Sequence, residues 1–298
     1  MARIRYDKLP TERINPRSGR LDRLSPVAIA RLMNRMDSQA VRAVGRAASA
    51  IGKAVTGIAE RLRAGGRLIF LGAGTSGRLG VLEAAECPPT FNTRPSQVQA
   101  VMAGGRRAVF RSVEGAEDDG SAGARAVRRC ARAGDAVVGI AASGVTSFVR
   151  AGLVEARRRG ALTVLVTCNP HVPRSTARIV ISLAAGPEIL AGSTRLKAGT
   201  ATKLALNTLT TAAFTRLGKV HGNRMVDLQP RSAKLQARAV RLVSDLGGVG
   251  PARAARLLAE AAGRAKVAIV MARQNVSPAQ ARQRLREAGG LLGRAAGI

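Results

Sequence analysis

The stretch Arg67–Thr90, RLIFLGAGTSGRLGVLEAAECPPT, decides the fold. Arg67–Leu71 is a short apolar run, the mark of a strand buried on both faces of a parallel sheet. Gly72, Gly74 and Gly77 punctuate the loop that follows, and an apolar-periodic helix begins at Arg78. Strand, glycine-rich loop and helix together make a phosphate-binding layout. Glycines let the backbone approach an anion, and the free N–H groups and dipole of the helix N-terminus favour negative charge. Thr75 and Ser76 add two hydroxyl donors. No Gly-Lys-Ser/Thr closes the loop, so it is not a Walker loop. Gly72, Gly74 and Gly77 do spell G-x-G-x-x-G, which keeps a nucleotide site open as a rival. Against that rival, Val98–Gly104 reads VQAVMAG and offers no acidic residue for a ribose. A plain tight β–α turn is the blander alternative.

A chain of 298 residues suffices for one large α/β domain or two smaller ones. At 46% hydrophobic residues it is not a disordered chain. Aromatics are only 2%, with Trp absent, so Ala, Val, Leu and Ile must fill the core. The net charge is +31, from 49 Lys+Arg against 18 Asp+Glu. Such a balance suits a nucleic-acid or membrane-surface binder. The arginines are scattered over many segments, however, and no aromatic platform is available to stack on single strands. The charge therefore reads as a surface property that also attracts anionic substrates, without a specific nucleic-acid partner. Cys87, Cys130 and Cys168 show neither CxxC spacing nor a His/Cys cluster, so structural zinc and a disulfide framework are not expected. There is no apolar signal core and no run of membrane-span length, and a reducing cytoplasm is the expected location.

Along the chain, Met1–Leu24 is polar and reads as a segment extended over the surface. Ser25–Pro26 is an N-cap and first-turn pair, opening a helix to about Asn34; a longer helix runs from about Ser38 to Ala64. Strands are expected at Arg67–Leu71, Gln97–Met102, Ala136–Ala141, Leu162–Val166 and Ile179–Leu183. Helices follow the third strand to about Arg159, and the loop Gly186–Thr200 to about Leu217. Alternating strands and helices predict an α/β fold with a doubly wound parallel sheet, which binds ligands at the carboxyl ends of its strands. Past Gly247, Gly248 and Gly250, three short helices form a small C-terminal helical domain. The expected division is 1–64 for an N-terminal segment and helices, 65–246 for the sugar-phosphate domain, and 247–298 for the appendix.

Three segments at strand ends or helix starts place hydroxyls beside glycine. They are Gly74-Thr75-Ser76-Gly77, Ser143-Gly144 with Thr146, and Ser193-Thr194 after Gly192. Each alone could be an ordinary helix cap. Converging on one sheet edge, they would bind a phosphate by neutral hydrogen bonds, with Arg195 or Lys197 adding charge. Carboxylates are scarce, so Glu83 with Glu86, and Glu114 with Glu117, each pair one helical turn apart, stand out. Acid–base chemistry on a sugar needs two carboxyl groups at the reacting carbons. Surface glutamates paired with arginine are the alternative for any single one. Neither His171 nor His221 belongs to a nucleophile constellation.

The chain resembles the N-acetylmuramic acid 6-phosphate etherases of the sugar-isomerase (SIS) superfamily. The resemblance rests on Leu71–Thr90, on VEGAED at Val113–Asp118, and on GIAASG at Gly139–Gly144. It continues in CNP at Cys168–Pro170, AGSTRLKAGTA at Ala191–Ala201 and GKVHGNRMVDLQP at Gly218–Pro230. It begins at Thr11, Glu12 and Asn15 and covers nearly the whole chain. It implies a SIS-like fold and a cytoplasmic homodimeric lyase without metal or cofactor. The implied reaction splits the lactyl ether of a phosphorylated muramic sugar with water. The family's two acid–base glutamates fall on Glu86 and Glu117. Glu83 stands where Asp is usual and Ala85 where Ser is common. Val145 and Ser147 sit in ASGVTSF, where the family pattern is ASGRTPY. A non-catalytic sugar-phosphate sensor, akin to the glucokinase regulatory proteins, and an aldose–ketose isomerase are the rivals within the same fold.

Overall fold

Five strands form one parallel sheet in the order β2-β1-β3-β4-β5. They are β1 (Leu68–Gly72), β2 (Val98–Met102), β3 (Ala136–Ile140), β4 (Leu162–Thr167) and β5 (Ile179–Ser182). In the computed structural model, which describes residues 9–228, 230 and 232–298, every residue of β1, β3 and β4 is buried. The edge strands β2 and β5 are only partly buried. The central strands read as unbroken apolar runs because helices cover both of their faces. Gly72 pairs with Met102 on one side and Ile140 on the other, so the chain leaves β1, β2 and β3 at one level. From β1 the chain moves to β2 on one side and then to β3 on the other. That reversal opens a crevice at the strands' carboxyl ends.

The helices around this sheet are α1 (Pro26–Arg46), α2 (Ala48–Arg63), α3 (Gly74–Phe91), α4 (Arg107–Phe110), α5 (Gly120–Cys130), α6 (Ser147–Arg158) and α7 (Lys197–Arg216). Successive strand residues face opposite ways. Leu71 joins Val127 of α5 and Val149 and Leu153 of α6 in one core, whereas its neighbour Phe70 meets α3. The α3 contact is close: a β carbon on Gly80 would stand 2.9 Å from that of Phe70.

The first helix differs from its expected extent. It runs unbroken from Pro26 to Arg46, because the buried stripe Leu32, Met36, Ala40 and Ala43 continues through the expected break. Ser38 does not cap a new helix; its hydroxyl donates back to Arg35 O at 2.8 Å. The break falls instead at Ala47. Residues 9–24 are not simply extended over the surface. They form three short 3-10 turns and bury Leu9, Thr11 and Asn15; the part of that expectation on residues 1–8 lies outside the described residues.

The chain divides into two compact units, Met1–Ala85 with Ser96–Thr210, and Glu86–Pro95 with Thr211–Ile298. The second contains a hairpin of β6 (Val220–His221) and β7 (Arg224–Met225). It also holds α8 (Ala233–Gly247), α9 (Pro251–Glu260), α10 (Ala265–Gln274), α11 (Pro278–Glu287) and α12 (Leu292–Ala296). The helical part begins before residue 247, because Ala239, Leu242 and Val243 of α8 share a core with Leu258 of α9 and Ile269 of α10. Among the described residues, no helix is long and apolar enough to cross a membrane.

One buried ion pair ties the amino ends of β1 and β3 together. Asp135 is 1% exposed. Its Oδ1 accepts from Arg67 N at 2.9 Å and Nε at 3.2 Å, and its Oδ2 from Arg67 Nη2 at 2.6 Å and Arg132 N at 3.0 Å. Burial works to raise the Asp135 pKa, but the hydrogen bonds from Arg67 and Arg132 outweigh it and hold the pKa below the usual carboxylate value. A depressed folded-state pKa contributes stability above the unfolded value, about 3.9, and loses it as pH falls through the folded value. Asp135→Ala is expected to cost about 2–4 kcal/mol at neutral pH, since it strands buried donors and the Arg67 charge. Asp135→Asn should flatten the acid side of the stability curve. Melting temperatures of both variants across acid to neutral pH check this.

Candidate functional site

A cavity of about 260 Å³ lies within the first unit at the sheet's switch point. Ala73–Ser76 line it after β1, and Ala142, Ser143, Val145 and Thr146 line it after β3. Glu117 and Asp118 come from the segment before α5, Thr11 and Glu12 from the first 3-10 turn, and Gly192 and Thr194 from the loop before α7. Leu9 and Ile140 supply apolar wall.

The turn after β1 is tighter than expected. Helix α3 begins at Gly74, not Arg78, so Thr75 and Ser76 sit in its first turn. A β carbon on Gly72 would stand 2.7 Å from Gly77 N, and one on Gly77 would stand 2.8 Å from Gly72 O. Without side chains at these two positions, strand runs into helix within two residues. Gly77 N donates to Ala73 O at 3.0 Å, while the amides of Gly74, Thr75 and Ser76 belong to the turn that lacks intrahelical acceptors.

The second loop is held from beneath by the chain after β4. Asn169 Nδ2 donates to Ser143 O at 2.8 Å, and Thr167 Oγ1 donates to Ala142 O at 3.1 Å. Gly144 has a φ of +74°, and a β carbon there would stand 2.2 Å from Val172 Cγ2. Ser143 Oγ accepts from Val145 N at 3.3 Å, leaving its proton free to donate. Thr146 precedes α6 without spending its hydroxyl on a cap.

The third loop contributes differently from expectation. Gly192 and Thr194 line the cavity, but Ser193 and Lys197 do not. Lys197 is 1% exposed, and its Nζ donates to Gln39 Oε1 at 2.8 Å and Ala185 O at 3.0 Å. The start of α7 is already filled by buried Glu188, which accepts from Lys197 N at 2.9 Å and Ala198 N at 2.8 Å. Burial pushes Glu188 up and Lys197 down in pKa, each against the other's charge.

The two expected glutamates are placed differently. Glu117 faces the cavity, and its carbonyl accepts from Phe148 N at 3.0 Å, which pins it to the first turn of α6. Although the residue as a whole is exposed, burial of the carboxyl group raises its pKa, and the charges of Asp118 and Glu114 raise it further. Glu86 is exposed on the part of α3 that belongs to the second unit and is not among the lining residues. Glu83 is buried, and its Oε1 accepts from Thr210 Oγ1 at 2.5 Å. Among the described lining residues none is Arg, Lys or His. Thr11, Glu12 and Asp118 are polar lining residues that were not among the expected site residues; their signal in the sequence is their place in the segments that carry the resemblance.

Similarity to known proteins gives the family. The glucokinase regulatory protein N-terminal SIS domain family matches residues 50–157. An N-acetylmuramic acid 6-phosphate etherase of Gloeobacter violaceus is 50% identical over 95% of this chain and 94% of its own. The chain belongs to the N-acetylmuramic acid 6-phosphate etherase family. A second member, from Rhodopirellula baltica, is 47% identical over 97% of this chain and 96% of its own. A phosphoheptose isomerase of Neisseria gonorrhoeae, known by its structure, has a TM-score of 0.42 at 16% identity, over 60% of this chain and 93% of that one, too distant to carry an argument. As an etherase the chain is a carbon–oxygen lyase.

Removing a neighbouring negative charge favours the charged form of a carboxyl group. Asp118→Asn is therefore expected to lower the Glu117 pKa, and Glu114→Gln to lower it less. A carboxyl-carbon NMR titration of Glu117 checks this; a midpoint unmoved in Asp118→Asn would remove Asp118 as a cause.

Proposed function

We propose that the chain cleaves the D-lactyl ether of N-acetylmuramic acid 6-phosphate with water, giving N-acetylglucosamine 6-phosphate and D-lactate by elimination and hydration. The observation that carries this is 50% identity over 95% of the chain to an etherase of that name. The cavity supports it. The hydroxyls of Thr75, Ser76, Ser143, Thr146 and Thr194 surround the start of α3, where helix-end N–H groups and the helix dipole favour an anion. The 6-phosphate would be held there by neutral donors.

An ether at C3 is a poor leaving group, but the open-chain sugar carries an aldehyde at C1 that acidifies the C2 proton. In our reading the Glu117 carboxylate takes that proton. The C2–H electrons form a C2=C3 double bond as the C3–O bond breaks, and Glu86 protonates the departing lactate. Water then adds at C3, giving its proton to Glu86, and Glu117 returns a proton to C2. A raised pKa suits Glu117 to abstracting a carbon-bound proton, because a base works best with a pKa near the working pH. The role of Glu86 rests on the ECPPT motif match. The resemblance also supports a cytoplasmic homodimer as the working form. The regulatory-protein SIS match favours one second reading, sugar-phosphate binding without turnover.

Purified protein given the phosphorylated muramic sugar is expected to release D-lactate; tight binding with no lactate would favour the second reading. Glu86→Gln and Glu117→Gln should each lose roughly 10²–10⁴-fold in rate. In heavy water, Glu86→Gln should still exchange the C2 proton while Glu117→Gln should not; lactate at the wild-type rate from Glu86→Gln would sink its role. Ser76→Ala and Ser143→Ala should each raise KM roughly tenfold or more, the loss of one or two charge-assisted hydrogen bonds. An unchanged KM in both would count against this phosphate placement.

A further inference from the structure

The elimination has a prerequisite beyond the roles given above to Glu117 and Glu86. In the closed pyranose, C1 is a hemiacetal carbon, and the C2 proton is not acidic until the ring opens. Opening takes a proton from O1, forms C1=O1 as the C1–O5 bond breaks, and delivers a proton to O5. One carboxylate can do both, since O1 and O5 sit on the same carbon: it accepts the O1 proton, hands it to O5, and returns to its starting form.

We infer that Glu12 is a further catalytic residue, the group that opens the sugar ring, an assignment that rests on the reading above. Glu12 lines the cavity, yet it comes from a different segment than Glu117. Among the described residues the Glu12 carboxylate accepts one side-chain hydrogen bond. Thr11 Oγ1 donates to Glu12 Oε1 at 3.0 Å, and Thr11 is 4% exposed. Oε2 lies against Gly192, where a β carbon would stand 3.1 Å away. The segment carrying this carboxylate is fixed to the loop before α7: Gly192 N donates to Thr11 O at 3.2 Å, and Asn15 Nδ2 to Pro187 O at 3.2 Å. Asn15 is itself buried and caps the next 3-10 turn, Pro16–Ser18, so the polar stretch near the chain's start is tied down at Thr11 and again at Asn15. Holding Glu12 over the cavity accounts for those anchors. Asp118, the remaining carboxylate of the lining, adjoins Glu117 in the chain and is one of the charges that raise it.

The test separates ring opening from ether cleavage. N-acetylglucosamine 6-phosphate, which has no ether to lose, interconverts between its anomers only through the open chain. Saturation-transfer NMR on this probe should show wild-type protein accelerating that interconversion. Glu12→Gln should lose roughly 10²-fold of the acceleration, the size of a general acid–base contribution. Glu12→Asp should keep more of it than Glu12→Gln, a rescue that a purely structural role would not give. Thr11→Val, which frees Oε1, should fall between Glu12→Gln and wild type. Interconversion at the wild-type rate in Glu12→Gln would overturn the inference, as would wild-type protein that releases lactate without accelerating interconversion. Acceleration without lactate release from the muramic sugar would instead overturn the etherase reading and leave the role of Glu12 standing.

Discussion

At the carboxyl end of β1, the backbones of Gly72 and Gly77 approach so closely that a β carbon on either would stand within 2.8 Å of the other. This contact is what lets α3 start at Gly74, directly on the sheet edge. A looser turn would carry the first amides of the helix away from the crevice between β1 and β3. With those amides in place, Thr75 and Ser76 fall beside Ser143 and Thr146 in one cavity. The register of the sheet does the rest, because Gly72 and Ile140 end their strands side by side.

The electrostatics of the molecule and of its cavity have opposite character. The chain carries a net charge of +31, yet the described cavity lining holds Glu12, Glu117 and Asp118 and no cation. Positive surface charge acts at long range, raising the local concentration of an anionic substrate. At contact range, the lining offers neutral hydroxyls and helix-end amides. Val145 stands in the lining at the position where the resemblance leads one to expect Arg, so the polar side chains of the loop after β3 in the lining are Ser143 and Thr146. The acid–base role proposed for Glu117 fits this arrangement. A cation beside Glu117 would depress its pKa, whereas burial and like-charged neighbours raise it.

Much of this was legible in the residues. The apolar runs of β1, β3 and β4 announced a parallel sheet, because strands covered on both faces leave no polar alternation. The helices α9, α10 and α11 follow the expected helical region past Gly250, since Pro251 and Pro278 open two of them and Gly263 and Asn275 follow the ends of α9 and α10. Other features were misread for local reasons. Ser38 looked like a helix start, but its hydroxyl could equally bond back inside a continuing helix. Lys197 looked like a phosphate ligand, but its Nζ is held by Ala185 O and by Gln39 Oε1, and Gln39 lies far away in the chain on α1. The polar segment at residues 9–15 carried no periodicity, so nothing local marked Thr11 and Asn15 as buried.

By itself, then, the sequence determined the strand–turn–helix grammar, the hydroxyl-and-glycine chemistry of the loops, and family membership through long motif matches. Those are properties of neighbouring residues, where steric and hydrophobic rules act over a few positions. Only the tertiary structure decided which loops share the cavity, that α7 is capped by Glu188 rather than left open to a ligand, and that Glu12 joins Glu117 in the lining. Glu12 and Glu117 are brought to one cavity by the sheet order and by hydrogen bonds such as that between Gly192 and Thr11. Such meetings are made by the packing of distant segments, and no pattern within either segment encodes them.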